Sequence, residues 1–260
     1  MEYATSADGT TIAYERQGQG PAVVLVGGAF NDRHTWAELT AALSPHFTAV
    51  SYDRRGRGDS GDTQPYAVER EVEDLEAVIA ATGGAAFAHG QSSGAVLAMR
   101  AAAAGAAVTQ LSMMEPPFRL EDGPPSPPNY LENLTELIST GRNDEAAAYF
   151  MTDAVGLPPQ AVEQTRQMPM WSGLVAMAPT LVYDARVMGD SWVPVDLLAT
   201  VTVPTMVVHS TGSAPWLQSA AATTAQALPD ARLLGLEGGF HSVAADVLAP
   251  ALTEFFTQAG

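Results

Sequence analysis

Short apolar runs separated by amphipathic stretches set the plan of this chain. Residues 22–26 (Ala-Val-Val-Leu-Val) and 47–52 (Phe-Thr-Ala-Val-Ser-Tyr) are almost wholly apolar, as expected of strands covered on both faces of a parallel sheet. Residues 85–88 and 109–114 read the same way, and so do 203–209 and 231–236. Between these runs the period changes from 2 to 3.6. Residues 69–81 bring Val72, Leu75, Val78 and Ile79 onto one helical face. Further helices are expected around Trp36 and Leu39, over the alanine-rich residues 94–107, over 216–227 and at the C-terminal end to Phe256. At the other end, residues 2–5 and 11–15 alternate around Asp8-Gly9, a strong hairpin signal.

Strands alternating with helices at this spacing predict an α/β fold with a mostly parallel twisted sheet flanked by helices. The rhythm breaks at Arg119. Residues 121–129 are rich in proline, and from Tyr130 to about Val195 the pattern is helical throughout. The expected organisation is a core made of residues 1–118 and 196–260, with residues 119–195 as a helical insertion, and no internal repeats.

Composition narrows the class. The chain has 260 residues, 47% of them hydrophobic and 16% charged, so one large core burying roughly 70–75% of the unfolded surface is within reach. Twelve basic against 29 acidic residues give a net charge of −17, which disfavours nucleic acid and anionic membrane surfaces as partners. With no cysteine, disulfides, thiolate catalysis and zinc–thiolate sites are excluded. No ligand-spaced cluster suggests a metal, and no cofactor is called for. The first residues carry neither a basic region nor an apolar core, and no apolar run is long enough to span a bilayer, so a cytoplasmic protein of undetermined oligomeric state is expected.

The chemistry centres on residues 88–95, Ala-His-Gly-Gln-Ser-Ser-Gly-Ala. Gly90, Ser92 and Gly94 make the pattern G-x-S-x-G between a strand and a helix, where a tight turn needs unobstructed flanks and pushes Ser92 outward. The competing reading is a glycine-rich turn whose serines cap the next helix. Residues 53–60, Asp-Arg-Arg-Gly-Arg-Gly-Asp-Ser, suit a structural loop paired within itself better than a phosphate site. A serine hydroxyl needs a neighbouring base. Of the five histidines, His241 follows the last strand, whereas His34, His46, His89 and His209 occupy places better suited to structural roles.

The order of these features resembles the α/β-hydrolase superfamily, in the branch with a helical cap. The resemblance rests on Gly27-Gly28-Ala29 after the first long apolar run, residues 53–60, the elbow around Ser92, the cap, and His241 after a Gly-Gly turn. It implies that Ser92 is the nucleophile, His241 its base, and the backbone N–H groups of Ala29 and Ser93 the oxyanion hole. One position departs from the pattern. Where most relatives carry an aspartate, after the penultimate strand, this chain reads His209-Ser210-Thr211-Gly212-Ser213, and no acid occurs between Leu197 and Pro229. Some relatives place the acid after the preceding strand, which here is Glu115. The alternatives are that Glu115 only pairs with an arginine or caps the entry to the cap, or that Glu237 or Asp246 substitutes for it. Gly27 also stands where relatives usually have histidine.

A serine rather than an aspartate at the elbow disfavours epoxide hydrolase and haloalkane dehalogenase chemistry. The resemblance therefore implies hydrolysis of an ester, thioester or lactone through an acyl-enzyme. Five methionines and two tryptophans between Met151 and Trp192 suggest a hydrophobic small-molecule substrate, with Phe30, Gln91, Met151, Trp171 and Trp192 as candidate contacts, although such residues also serve packing. A different class stays open: a hydrolase fold repurposed as a biosynthetic cyclase or lyase, or as a non-catalytic small-molecule receptor.

Overall fold

The computed structural model describes residues 1–258 except Ser126. Its strands, in chain order, are β1 (Glu2–Thr5), β2 (Thr11–Gln17), β3 (Ala22–Val26), β4 (Thr48–Tyr52), β5 (Ala86–Gln91), β6 (Val108–Met114), β7 (Thr205–Ser210) and β8 (Ala231–Leu236). They form one sheet in the order β1-β2-β4-β3-β5-β6-β7-β8. The β1–β2 and β2–β4 pairings are antiparallel and the rest parallel. Asp8-Gly9 closes the β1–β2 hairpin, with Gly9 at φ 85°.

The helices of the core are α1 (Ala37–Leu43), α2 (Val68–Ala81) and α3 (Ser93–Ala103). After β6 come α4 (Tyr130–Ser139), α5 (Asn143–Tyr149), α6 (Pro159–Arg166), α7 (Trp171–Met177), α8 (Leu181–Met188) and α9 (Val195–Leu198), then α10 (Pro215–Ala227) and α11 (Ala245–Thr257) back on the sheet. The period of 2 in β3 divides its side chains between two cores. Val23 and Leu25 pack with Leu39, Leu43, Leu252 and Phe256 of α1 and α11; Val24 and Val26 pack with Leu75, Ile79, Val96 and Leu97 of α2 and α3. Each of these buried apolar side chains stabilises the fold by about 1.5–3 kcal/mol over an exposed position.

Helices α4–α8 have a core of their own, which includes Leu134, Met151, Trp171, Leu174 and Leu181. The two ends of this insertion meet at a neck. Arg119 N–H donates to Ser191 O at 2.7 Å, and the Arg119 guanidinium lies 4.7 Å over the Trp192 ring.

The structure corrects three local expectations. Helix α3 ends at Ala103 rather than 107 because Gly105, at φ 89°, turns the chain out of the helix. Strand β5 runs on to Gln91, held by register partners on β3 and β6. The loop 53–60 is structural and closed by its own bonds, Asp59 N–H donating to Asp53 Oδ2 at 2.9 Å and Ser60 Oγ to Asp53 O at 2.6 Å, but its arginines do not pair with its own aspartates: Arg54, Arg55 and Arg57 are buried and find their carboxylates elsewhere. Arg54 pairs with Glu71 at 2.6 Å and with Asp184 at 2.7 Å, Arg55 with Asp74 at 2.7 Å, and Arg57 with Asp184 at 2.7 Å.

Candidate active site

Parallel register brings the candidate residues together. Val26 of β3 lies opposite Gly90 of β5, Gln91 opposite Met114 of β6, and Met114 opposite Val208 of β7. The segments that follow these strand ends carry Ala29, Ser92, Glu115 and Ser213, and His241 follows β8. The chain reverses its winding between β3 and β5, and crevices at such switch points are where open α/β sheets bind ligands.

Ser92 sits at φ 57° and ψ −128°, a conformation that costs a non-glycine residue of order 1–3 kcal/mol. Its surroundings enforce it. Ser92 N–H donates to Met114 O at 2.9 Å. A Cβ at Gly94 would lie 2.2 Å from Val26 O, and one at Gly90 would lie 2.4 Å from Gly94 O. On the other side, a Cβ at Gly28 would lie 2.9 Å from Ser92 Cβ. The Gly27-Gly28-Ala29 turn therefore packs directly on the serine, and only glycine permits the approach.

The two residues expected to supply backbone donors lie on segments next to Ser92: Ser93 follows it in the chain, and Ala29 follows Gly28, which packs on it. Ser93 is the first residue of α3, so its N–H has no partner within the helix. Ala29 lies on the β3 turn, which is fixed by Gly28 N–H donating to Asn31 Oδ1 at 3.0 Å and by Arg57 Nη1 donating to Gly28 O at 2.5 Å.

Glu115 and His241 are in contact: His241 Nδ1 is 2.7 Å from Glu115 Oε2. The carboxylate is fully buried and its other oxygen accepts Ser210 N–H at 2.7 Å. Burial alone would push its pKa up; hydrogen bonds from His241, Ser213 and Ser210 N–H outweigh that and hold it below the usual carboxylate value. His241 is tethered through its backbone, its N–H donating to Ser213 Oγ at 2.8 Å and its carbonyl accepting from Gln91 Nε2 at 2.8 Å. Ser210 Oγ donates to Gly239 O at 2.6 Å, anchoring the turn before it. Among the described residues His241 Nε2 makes no hydrogen bond with Ser92 Oγ, a contact that commonly tightens only when substrate binds. Glu237 and Asp246 are exposed, and neither bonds to His241.

The remaining candidates are spread over the insertion and the rim. Phe30 meets Phe150 edge to face at 5.2 Å, and Met151 is buried in the insertion's core. Trp171 is buried there too, with Nε1 donating to Asp144 at 2.7 Å. Trp192 is 40% exposed at the neck. His89 is structural, its ring fully buried beside Ser112 Oγ at 3.0 Å, and burial lowers its pKa to about 3. Among the described residues no group of three His, Asp or Glu side chains could hold a metal ion, and no helix is long and apolar enough to cross a membrane. Sequence reasoning passed over Ser210, Ser213 and Asp184. The first two occupy the segment that lacks the usual acid, and their polar character was the available signal.

A model of the alpha/beta hydrolase family matches residues 23–251. The chain belongs to the alpha/beta hydrolase family. A crystal structure of an alpha/beta hydrolase from Sphaerobacter thermophilus is 51% identical, superposes with a TM-score of 0.94, and is matched over 98% of this chain and 100% of that one. The enol-lactonase of Burkholderia xenovorans shares the fold, with a TM-score of 0.76 over 99% of this chain and 100% of that one at 22% identity. N-formylmaleamate deformylase of Pseudomonas putida is 33% identical over 159 residues, 56% of this chain and 58% of the deformylase. The alignments to this deformylase and to an uncharacterized hydrolase of Bacillus subtilis, 34% identical, cover only 58% and 35% of those relatives' own lengths. The family match and the Sphaerobacter thermophilus structure place this chain among the alpha/beta hydrolases.

Proposed function

We propose that the protein is a serine hydrolase that cleaves an ester, thioester or lactone of a hydrophobic small molecule through an acyl-enzyme. The observation that carries this reading is the 2.7 Å contact of His241 Nδ1 with buried Glu115, at the carboxyl ends of the parallel strands where Ser92 stands on its strained elbow. In this reading Ser92 Oγ attacks the substrate carbonyl and passes its proton to His241 Nε2. Glu115 holds the ring with its proton on Nδ1 and stabilises the imidazolium. The N–H groups of Ala29 and Ser93 receive the oxyanion. The leaving alcohol or thiol takes the proton from His241. Water then enters, gives a proton to His241 as it attacks the acyl carbon, and His241 returns that proton to Ser92 Oγ as the acid leaves. Helices α4–α8 act as a cap, and Phe30, Gln91 and Met151 are the first candidates for contact with the substrate. The identities of relatives, a lactonase by fold and a deformylase by partial alignment, are compatible with attack at an acyl carbon.

Intact-mass labelling with a fluorophosphonate tests the reading. A single adduct is expected on the wild type and none on Ser92→Ala or His241→Ala. A folded wild type that takes up no adduct would refute it, and would move the weight to the cyclase, lyase or receptor alternative.

A further inference from the structure

One buried carboxylate of the insertion reaches the supports of both oxyanion donors. Asp184 lies on α8 with only 4% of its surface exposed. Its Oδ1 accepts Ser93 Oγ–H at 2.6 Å, and Ser93 carries one of the two N–H groups. Its Oδ2 accepts Arg57 Nη2 at 2.7 Å. The other end of the same guanidinium, Nη1, donates to Gly28 O at 2.5 Å and to Asn31 O at 3.2 Å, and so fixes the turn that carries Ala29. Arg54 completes the set, with Nη1 on Asp184 Oδ1 at 2.7 Å and on Gly27 O at 3.2 Å.

We infer that Asp184 is a positioning residue, through which the helical insertion sets the spacing of the Ala29 and Ser93 donors. The physical argument is one of tolerance. Oxyanion donors act only when held about 2.7–3.1 Å from the developing charge, yet the two donors follow different strands, and the β3 turn lies outside any strand or helix that would fix it through a backbone ladder. A carboxylate bonded at once to Ser93 Oγ and to the arginine on the Gly28 carbonyl couples the two arms. Charge-assisted bonds of this kind are about twice as strong as neutral ones. The burial of Asp184 would raise its pKa, but Arg57 and Arg54 hold it below the ordinary carboxylate value, so it stays an acceptor. A consequence is that α8 does not lift with any opening of the cap. Thr180, one turn before Asp184, accepts Arg57 Nε at 3.1 Å, and Tyr183 stacks on Tyr66 at 3.8 Å.

The inference rests on the hydrolase reading, and its test separates the two. Wild type, Asp184→Ala, Ser93→Ala and the double variant are compared in p-nitrophenyl butyrate hydrolysis, with circular dichroism verifying the fold. Asp184→Ala is expected to lower kcat at least tenfold with KM within threefold, since the donors act in the transition state. Ser93→Ala keeps its N–H but loses its tether, and kcat should fall about fivefold. In the Asp184→Ala background it should add little, because the bond it removes is already gone. A folded Asp184→Ala with kcat within threefold of wild type overturns the inference, as does a double variant in which the two losses multiply. Should Asp184→Ala not fold, a Ser93→Ala kcat within twofold of wild type overturns it alone. A wild type with neither turnover nor fluorophosphonate adduct would refute the hydrolase reading instead.

Discussion

Glu115→Gln probes the proposed site with the least disturbance of shape. The glutamine is isosteric, and its carbonyl oxygen can keep the 2.7 Å bond from Ser210 N–H. That choice turns the amide NH2 toward His241 Nδ1, where the carboxylate oxygen now stands at 2.7 Å. Nδ1 must then accept rather than donate, which moves the ring proton to Nε2, the atom meant to take the proton of Ser92. The perturbation is therefore a change of tautomer in a fixed geometry. A loss of about 10⁴-fold in kcat is expected, as for the equivalent change in a serine protease triad, or about 5 kcal/mol at 1.36 kcal/mol per tenfold. KM should move little. The assay is steady-state hydrolysis of p-nitrophenyl butyrate, with residual wild-type contamination bounded by fluorophosphonate titration. There is also a signature in stability. The folded pKa of Glu115 lies below its usual value of 4.5, so its contribution is fully present above pH 4.5 and is lost as the pH falls through the lower folded value. Glu115→Gln should weaken that acid-side dependence. A folded variant that retains kcat within tenfold of wild type would refute the assignment, and the imidazole would need another orienting group.

Three further outcomes follow from groups around the site. Burial lowers the pKa of His89 from 6.5 to about 3, so the unfolded chain takes up a proton below pH 6.5 that the folded one refuses. Stability should fall as the pH is lowered from 6.5 toward about 3, and urea midpoints of His89→Gln should fall less over that window; parallel curves would contradict the argument. Gly94→Ala places a Cβ 2.2 Å from Val26 O, a backbone atom of the central strand, and should yield no soluble folded protein, which native gel filtration would reveal. Replacing Arg55 and Asp74 together by Met and Leu removes a buried ion pair and leaves the second partner of Arg55, Asp8, which reaches solvent, to be hydrated. Exchange of a buried pair for apolar groups is often neutral or stabilising by 1–4 kcal/mol, whereas loss of one partner costs 3–5 kcal/mol. The double change should therefore retain kcat and unfold hotter than Arg55→Met alone in calorimetry.

The sheet was legible because each strand is a local signal. Residues 22–26 are apolar without interruption, and no alternative element of five residues buries all of them. Ser92 and His241 were legible for a related reason, since glycines constrain backbone in ways that leave a pattern, and both lie beside them. Glu115 could be singled out by position after β6, but its contact with His241 depends on a backbone at φ 44°, which no local preference dictates. The partners of the arginine loop were not legible as pairs. Asp184 lies 130 residues from Arg54, and pairing over that distance is a property of the assembled fold. A partial signal was nonetheless there. Glu71 and Asp74 share a helical face with Leu75 and Val78, and Asp184 shares one with Leu181. An acid on the apolar side of an amphipathic helix has to find a cation inside the protein, and residues 54–57 hold three of the few cations available.

Cations are few here, and their type is uniform. All twelve basic residues of the chain are arginine, and Arg33, Arg54, Arg55 and Arg57 are buried. Stability alone does not account for so much buried charge, because such pairs gain little over well-packed apolar groups. Position does. Arg57 donates through Nη2 to Asp184, through Nη1 to Gly28 O and through Nε to Thr180, so one planar fork relates the insertion, the β3 turn and, through Asp184, the first residue of α3. Lysine would bring the same charge on a single flexible point. At position 57 it would satisfy either Asp184 or the Gly28 carbonyl, and the distance between the two donors beside Ser92 would lose the element that defines it.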